Sequence, residues 1–157
     1  MNMAITGEIK VLVGPRDSVT QVAMKEGIRQ GGGLMVEFLR GGLDQGPDSP
    51  REMGKFQIIR SSIERCIDLD QGISLKEKEA ILATWSDVVQ KVKEGRYGYF
   101  VLDEIGSAIA MGIIPRSVVL DLLLEKPKHV NVVLTGTRMP DSIKALASET
   151  RSVKEGS

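Results

Sequence analysis

Residues 9–39, IKVLVGPRDSVTQVAMKEGIRQGGGLMVEFL, decide the fold class of this chain. They begin with a short, β-branched apolar run at 9–13, which predicts a buried strand and stops at Gly14-Pro15. A second apolar run at 34–39 predicts another strand. The residues between the two runs fit a helix of about a dozen residues, so the stretch forms a βαβ unit with parallel strands and a right-handed crossover.

The helix of this unit is expected to run through Arg29, with Ser18 or Thr20 as its N-cap and the glycines at 31–33 as its end. A loop rich in Gly, Asp and Pro is expected at 40–50. After the loop, strands are expected at 56–59, 99–102, 130–134 and 150–153, and helices at 74–94, at 107–111, from 115 onward and at 140–147. This alternation predicts an α/β fold with a mostly parallel central sheet, in one domain over residues 1–157.

Composition narrows the function classes. Hydrophobic residues make up 41% and charged residues 27% of the 157 residues, a balance typical of globular proteins. Lys and Arg number 21, as do Asp and Glu, and this zero net charge argues against nucleic acid as the main partner. No apolar run approaches the ~20 residues of a membrane span, and no signal peptide is visible, so neither a membrane partner nor export is expected.

The single cysteine, Cys66, fits a reducing cytoplasm, because it has no second cysteine for an internal disulfide. Because the chain has only this one cysteine and one histidine, His129, a zinc site is not expected. We expect Cys66 to be a packing residue, His129 to be structural and Trp85 to lie in the core, since Trp85 falls on the apolar side of the helix that the Ser74–Glu77 capping box opens.

Three segments with chemical potential follow predicted strands: residues 14–20, Asp103-Glu104, and residues 135–138. Ligands bind at the carboxyl ends of parallel strands, so we expect these segments to converge. Asp103 and Glu104 follow four apolar residues, as in a Walker B segment, whose acid holds Mg²⁺ directly or through water. The alternative is a pair of solvated or helix-capping acids.

The first of these segments is compared with the phosphate-loop pattern GxxxxGK[ST]. We match Gly14 to its first glycine, Ser18 to its second glycine and Thr20 to its final hydroxyl, while Val19 stands in place of the lysine. Pro15 removes one backbone donor and Asp17 brings a negative charge, which Arg16 partly offsets. The alternative interpretation is an ordinary turn between a strand and a helix.

Residues 101–136, VLDEIGSAIAMGIIPRSVVLDLLLEKPKHVNVVLTG, resemble the P-loop class of corrinoid adenosyltransferases, which act on cob(I)yrinic acid a,c-diamide and cob(I)alamin. The family's VLDEL, RPxH and VxxTGR motifs appear here at 101–105, 126–129 and 132–136. Upstream, Trp85 falls on a tryptophan common in the family, and residues 36–41 (VEFLRG) fall on its second strand, often VQFIKG. The resemblance covers most of the chain and implies a three-layer, P-loop-NTPase-like (RecA-like) fold.

The resemblance also implies ligands. Family members transfer the 5′-deoxyadenosyl group of ATP to Co(I) of a corrinoid and release triphosphate, so Mg-ATP and a corrinoid are the implied ligands and a homodimer the implied assembly. Carried over to this chain, the nucleotide contacts fall on Gly14, Arg16, Ser18, Thr20 and Arg138, and the metal ligands on Thr20, Asp103 and Glu104.

The chain departs from the family pattern at three places. Val19 replaces the lysine, residues 66–69 (CIDL) replace the aromatic GFTW segment on the corrin side, and the arginine of TGR falls on Thr137, next to Arg138. Three hypotheses remain open, of which an unrelated protein of the P-loop fold with a different small ligand is the third. The first is an adenosyltransferase that uses Arg16, Thr20 and Glu104 on ATP, and the second is a non-catalytic relative that binds a corrinoid, a nucleotide or a protein.

Overall fold

In a computed structural model of the protein, the described residues are 7–41, 51–53 and 56–155. The strands are β1 (Ile9–Val13), β2 (Gly33–Glu37), β3 (Arg51–Met53), β4 (Phe56–Arg60), β5 (Tyr99–Asp103), β6 (Asn131–Gly136) and β7 (Glu149–Ser152). The helices are α1 (Arg16–Arg29), α2 (Leu75–Glu94), α3 (Ile105–Ala110), α4 (Arg116–Glu125) and α5 (Asp141–Lys144).

The strands form one sheet in the order β3-β4-β2-β5-β6-β1-β7. All neighbouring pairs are parallel except β3 with β4, which is antiparallel. The predicted α/β fold of the P-loop-NTPase type, with a mostly parallel sheet, is therefore confirmed. The short antiparallel edge strand β3 was not expected, and most of the expected loop at 40–50 (residues 42–50) lies outside the described residues.

Apolar clusters cover the sheet on both faces. Successive strand residues alternate between them: Val11 belongs to the larger cluster with α2 and α4, while Leu12 belongs to the smaller one with α1. Trp85 is 6% exposed and its ring centroid lies 6.0 Å from that of Phe38, so the expectation of a core tryptophan is confirmed. The helices on each face and the sheet between them make three layers.

The ends of several elements differ from the sequence predictions. Helix α1 begins at Arg16, so neither Ser18 nor Thr20 caps it. Pro15 is the N-cap residue, and its φ of −58° already matches the fixed proline value. Strand β2 ends at Glu37, although the apolar run continues for two buried residues. Helix α3 begins at Ile105, two residues early, because Glu104 turns the chain directly after β5.

The remaining boundaries are closer. The Ser74–Glu77 capping box is confirmed, since the Glu77 N–H donates to Ser74 Oγ and the Ser74 N–H donates to Glu77 Oε1, each at 3.0 Å. Helix α5 covers four residues instead of the eight expected, because looser turn hydrogen bonds continue from Ala145 to Ala147. Strand β7 lies one residue earlier than expected.

Candidate functional site

The carboxyl ends of the parallel strands bring the three predicted segments together. Asp103, the last residue of β5, is fully buried, and its Oδ1 accepts hydrogen bonds from Thr20 Oγ1 at 2.7 Å and from Thr135 Oγ1 at 3.0 Å. Thr20 lies on α1 and Thr135 on β6, so one carboxylate joins three elements. The expected convergence of these segments at one edge of the sheet is confirmed.

Glu104 is held in a strained turn next to this carboxylate. Its φ of 60° and ψ of 26° lie in the left-handed region, which costs a non-glycine residue about 1–2 kcal/mol. The turn is fixed because the Glu104 N–H donates to Thr135 Oγ1 at 2.8 Å, while the Glu104 carbonyl accepts from Ala108 N at 3.0 Å. The Glu104 side chain is thereby directed inward, and the residue is 4% exposed.

Arg16, the first residue of α1, pairs with that carboxylate. Its Nε lies 2.5 Å from Glu104 Oε1, its Nη1 lies 2.5 Å from Asp68 Oδ1, and its Nη2 donates to the Ile67 carbonyl at 2.9 Å. Arg16 therefore connects α1, the end of β5 and the segment at 67–68. A residue assigned to nucleotide contact by the resemblance is used for an internal ion pair.

Two charged residues that the sequence analysis did not single out, Glu37 and Arg40, lie at the end of β2 and shortly after it. Glu37 is the last residue of β2 and is 4% exposed, and Arg40 follows it. We call Glu37, Asp103 and Glu104 the acid cluster. The rule that polar residues at strand ends face the ligand edge could have identified Arg40, which directly follows the strand predicted at 34–39, but not Glu37, which falls inside that predicted strand.

Arginines neutralise the acid cluster. Arg40 Nε lies 3.4 Å from Glu37 Oε2, 3.6 Å from Asp103 Oδ2 and 3.9 Å from Glu104 Oε2. On its outer side Arg40 Nη2 contacts Asp17 Oδ1 at 2.9 Å, and Asp17 is exposed. Arg60, at the end of β4, places its Nε 2.6 Å from Glu37 Oε1. Buried carboxylates require such partners, because an uncompensated buried charge is strongly destabilising.

Burial dominates the proton affinities in this cluster. It raises the pKa of Asp103 to about 7, with the charge of Glu104 adding to the rise and the hydrogen bond from Thr20 opposing it. Burial also raises the pKa of Glu104, against the opposing effect of Arg16. For Arg40, burial alone lowers the pKa, but the hydrogen bond to Asp17 and the three carboxylates outweigh it and raise the value overall.

The connection between β1 and α1 is short, and its one backbone N–H is already hydrogen-bonded; we call it closed for this reason. It consists of Gly14 and Pro15 alone, since β1 ends at Val13 and α1 begins at Arg16. The Gly14 N–H donates to the Gly136 carbonyl at 3.1 Å, and a Cβ on Gly14 would lie 2.2 Å from the Val153 carbonyl oxygen. Gly14 is therefore required where the end of β7 approaches β1. Its backbone donor serves the sheet.

Val19 lies inside the protein. It is 0% exposed and belongs to the smaller apolar cluster, together with Leu12 and Ala23. Its N–H donates to the Pro15 carbonyl at 3.1 Å, and Ser18 beside it is 8% exposed. Gly14 and Thr20 are also one position closer together than GxxxxGK[ST] requires. The lysine position of the pattern is thus part of the core.

The other residues of the sequence analysis lie outside the acid cluster. Among the hydrogen bonds and ion pairs of the described residues, none joins Arg138 to the cluster; Arg138 is exposed and lines a mainly apolar pocket of about 210 Å³ with Ile109 and Met139. His129 Nε2 lies 3.0 Å from the Gly95 carbonyl, as expected of a structural histidine. Cys66 is exposed, so the expectation of a packing cysteine is wrong. Its thiol donates to the Gly41 carbonyl oxygen, with an Sγ to oxygen distance of 3.7 Å.

Two further observations concern the described part of the chain. It contains no group of three or more His, Cys, Asp or Glu side chains arranged to hold a metal ion. Within residues 7–41, 51–53 and 56–155, no helix is both long and apolar enough to cross a membrane.

The chain was compared with known proteins. Residues 6–156 match the sequence profile of the family described as ATP:corrinoid adenosyltransferase BtuR/CobO/CobP. The match includes both the β1–α1 connection and the acid cluster. A comparison with curated proteins gave no match.

Proposed function

The chain belongs to the ATP:corrinoid adenosyltransferase family, and from that premise we propose that it is a non-catalytic member, which binds a corrinoid without transferring an adenosyl group from ATP. ATP and a corrinoid are the ligands that the family implies. The proposal concerns which of the two this chain has kept.

The burial of Val19 carries the part of the proposal that concerns ATP, and family membership supports the part that concerns the corrinoid. In a P-loop, backbone N–H groups surround the phosphates and a lysine neutralises their charge. Here the corresponding position is a fully buried valine, on a helix that begins one residue after Pro15. Loss of the lysine removes a charge-assisted contact of about 1.5–3 kcal/mol. Asp17, exposed in the first turn of α1, adds repulsion toward a phosphate.

The residues expected to hold Mg²⁺ do not fit that ion in this arrangement. Arg16 Nε lies 2.5 Å from Glu104 Oε1, and Arg40 Nε lies 3.6 Å from Asp103 Oδ2. The Thr20 hydroxyl lies 2.7 Å from Asp103 Oδ1 and 2.9 Å from the Arg16 carbonyl oxygen, so its polar contacts are internal. The guanidinium groups of Arg16 and Arg40 therefore lie beside the carboxylates that Mg²⁺ would need as ligands.

A catalytically active enzyme is the second candidate. It is favoured by the arrangement of Thr20, Asp103 and Thr135, which come together at the strand ends as a Walker-type site would require. For this candidate Arg16 would have to leave Glu104 and turn toward the phosphates, and the acid released would then need a new partner. The closed β1–α1 connection speaks against it.

Two assays on the purified protein separate the candidates. Titration with hydroxocobalamin, followed by its visible absorbance, is expected to give saturable binding. Incubation of stoichiometric protein with ATP, Mg²⁺ and chemically reduced corrinoid is expected to give no adenosylated product. Product formation at a rate above that of protein-free controls refutes the proposal, and absence of corrinoid binding refutes it as well.

The Val19→Lys variant tests whether one residue is the deficit. Because the site is in the core, we expect loss of stability and no ATP binding by calorimetry. Gln21→Lys is the matched control, since it adds the same charge at an exposed position of α1. If Val19→Lys alone bound ATP, the geometry of the β1–α1 connection would not be the obstacle.

The proposal also covers the compartment, the domain organisation and the assembly of the protein. We propose a cytoplasmic, single-domain protein over residues 1–157 that forms a homodimer and has no nucleic-acid partner. The lone Cys66 and the zero net charge support the compartment and the exclusion of nucleic acid, and family membership supports the assembly. Light scattering coupled to size-exclusion chromatography tests the homodimer, and a monomer at all concentrations would remove it.

A further inference from the structure

Strand β7 (Glu149–Ser152) is an exposed edge of the sheet. Among the described strands it has one neighbour, β1, with which it pairs in parallel, and it stands at the end of the strand order. All four of its residues are exposed. An edge strand presents unpaired backbone N–H and C=O groups on its outer side, so a further strand can be added to the sheet there.

The register with β1 shows which backbone groups of β7 point outward. The Glu8 carbonyl and the Gly14 N–H both hydrogen-bond to β6, so the odd-numbered residues of β1 between them face β7. Val11 is one of these residues, and it lies opposite Thr150. When two residues lie opposite each other in a parallel pair, only one of them turns its N–H and C=O toward the other strand. The backbone groups of Thr150 therefore point away from the sheet.

Opposite charges flank this outward-facing residue. The side chains of Glu149 and Arg151 lie on one face of β7, because residues two apart in a strand share a face, and each is 45% exposed. Within the chain, Glu149 Oε1 lies 3.8 Å from Lys10 Nζ, and Arg151 Nη1 lies 3.3 Å from Glu26 Oε1. Exposed pairs of this kind are weak, so both side chains are free to contact a partner.

We propose that β7 is a homodimer interface, in which the β7 strands of two copies of the chain pair antiparallel about a two-fold axis at Thr150. Thr150 then exchanges two backbone hydrogen bonds with Thr150 of the second copy. On either side of the axis, Glu149 of one copy lies opposite Arg151 of the other, in the pairs whose side chains are closest. The inference rests on the homodimer of the proposed function, for which it supplies the contact surface.

The charges of β7 fit a second copy in this register alone. A shift of two residues would place Arg151 opposite Arg151 or Glu149 opposite Glu149, and like charges directly opposite each other are destabilising. A shift of one residue would place outward-facing backbone groups opposite inward-facing ones, so that the hydrogen bonds could not form. The pattern is self-complementary, which is what an interface between two identical surfaces requires.

Cysteine cross-linking tests the pairing directly. A Cys66→Ser background removes the exposed native thiol. In that background, Thr150→Cys places two thiols at the axis, where a Cα–Cα distance of about 5.5 Å suits a disulfide. Ser152→Cys is the matched control, because its two copies lie four residues out of register, more than about 10 Å apart. We expect oxidation to give a covalent dimer with Thr150→Cys and not with Ser152→Cys.

Sedimentation velocity over a range of concentrations tests the hydrogen bonds and the charges. Thr150→Pro removes the N–H at the axis without removing a hydrogen bond to β1, and it should shift the protein to monomer. Arg151→Glu places acid opposite acid and should do the same. Adding Glu149→Arg to Arg151→Glu should restore the dimer, although both residues then face like charges within their own chain. Arg116→Glu, at an exposed position of α4, is the control and should resemble the wild type.

The outcomes separate this interface from the rest of the proposed function. A wild-type dimer that persists in Thr150→Pro, with equal cross-linking at positions 150 and 152, contradicts the β7 interface and leaves the homodimer in place. A wild type that is monomeric at all concentrations removes both. If circular dichroism shows that Arg151→Glu does not fold, the Thr150 variants decide. Hydroxocobalamin titrations should be the same in all folded variants, so their result bears on corrinoid binding alone.

Discussion

The two sides of the site differ in how their side chains are satisfied. On the β1–α1 side, Val19 is buried among apolar residues and needs no partner. On the side of β2 and β5, the acid cluster is equally buried but charged, and the arginines Arg16, Arg40 and Arg60 lie against it. An apolar replacement such as Val19 is thus accommodated by packing alone. A buried acid requires a counter-charge from the same chain when no external cation supplies it.

Loss of Arg16, which joins the start of α1 to Glu104 and Asp68, should destabilise the protein most. Arg16→Ala leaves the buried Glu104 without its closest cation and releases Asp68 and the Ile67 carbonyl. We expect a loss of about 3–5 kcal/mol in the free energy of unfolding, the range for removing one partner of a buried pair. Urea unfolding followed by circular dichroism measures it.

The control for this change is Arg29→Ala at the far end of the same helix, where the residue is exposed. Its effect should stay within about 0.5 kcal/mol, as is usual for surface substitutions. Equal losses in the two variants would mean that the Arg16–Glu104 pair does not carry the link.

The next effect concerns the pH dependence of the charged side. The pKa of Asp103 is raised from 3.8 to about 7 in the folded protein, so the folded state binds the proton more tightly than the unfolded state. Stability is therefore highest at low pH with respect to this group and declines as the pH rises from about 4 to about 7, at up to about 1.4 kcal/mol per unit. Glu104, whose pKa is also raised, contributes with the same sign.

Asp103→Asn removes this titration and should flatten the decline. The groups that face Asp103 from other elements, Thr20, Thr135, Glu37 and Arg40, remain in place. Urea unfolding of both proteins between pH 5 and 8 provides the test. Glu77, whose pKa is lowered to about 2, loses its stabilising contribution only as the pH falls from about 4.5 toward 2, outside this window. Parallel curves for the two proteins would show that Asp103 is ionised throughout.

The mildest of these substitutions removes a single hydrogen bond between α1 and the acid cluster. Thr20→Val keeps the shape of the side chain but removes its hydroxyl from Asp103 Oδ1, where the distance is 2.7 Å. We expect a loss of about 1 kcal/mol, or up to about 3 kcal/mol if Asp103 is left unsatisfied. Thr20→Ser, which retains the hydroxyl, should recover most of it, and an equal loss in both variants would assign the effect to packing.

Much of the fold follows from sequence pattern. The apolar runs at 9–13 and 99–102 are followed by Gly14-Pro15 and Asp103-Glu104, and the parallel strands they predict are observed as β1 and β5. The capping box at Ser74 fixed the start of α2 to the residue, because it depends on neighbours in the chain. Alternation of strands and helices then left few arrangements other than an α/β sheet.

The rest depended on contacts distant in sequence. Arg16 looked like a nucleotide ligand, but its partners Asp68 and Glu104 are 52 and 88 positions away, and no local pattern joins them. The position of Glu37 at a strand end was not apparent, because the apolar run predicts a strand that continues to residue 39, whereas β2 ends at Glu37. The start of α1 was not predicted because Ser and Thr are favoured N-cap residues. In the structure Ser18 and Thr20 lie inside the helix and are buried, and Thr20 donates to Asp103.

The short β1–α1 connection, with Val19 in the core, is expected to leave the protein unable to bind a triphosphate. Isothermal titration of Mg-ATP into the wild-type protein, with and without hydroxocobalamin, tests it most directly. We predict no measurable heat of ATP binding in either titration. Saturable binding of ATP with micromolar Kd would contradict this expectation, since it would show that the protein holds a triphosphate without the lysine.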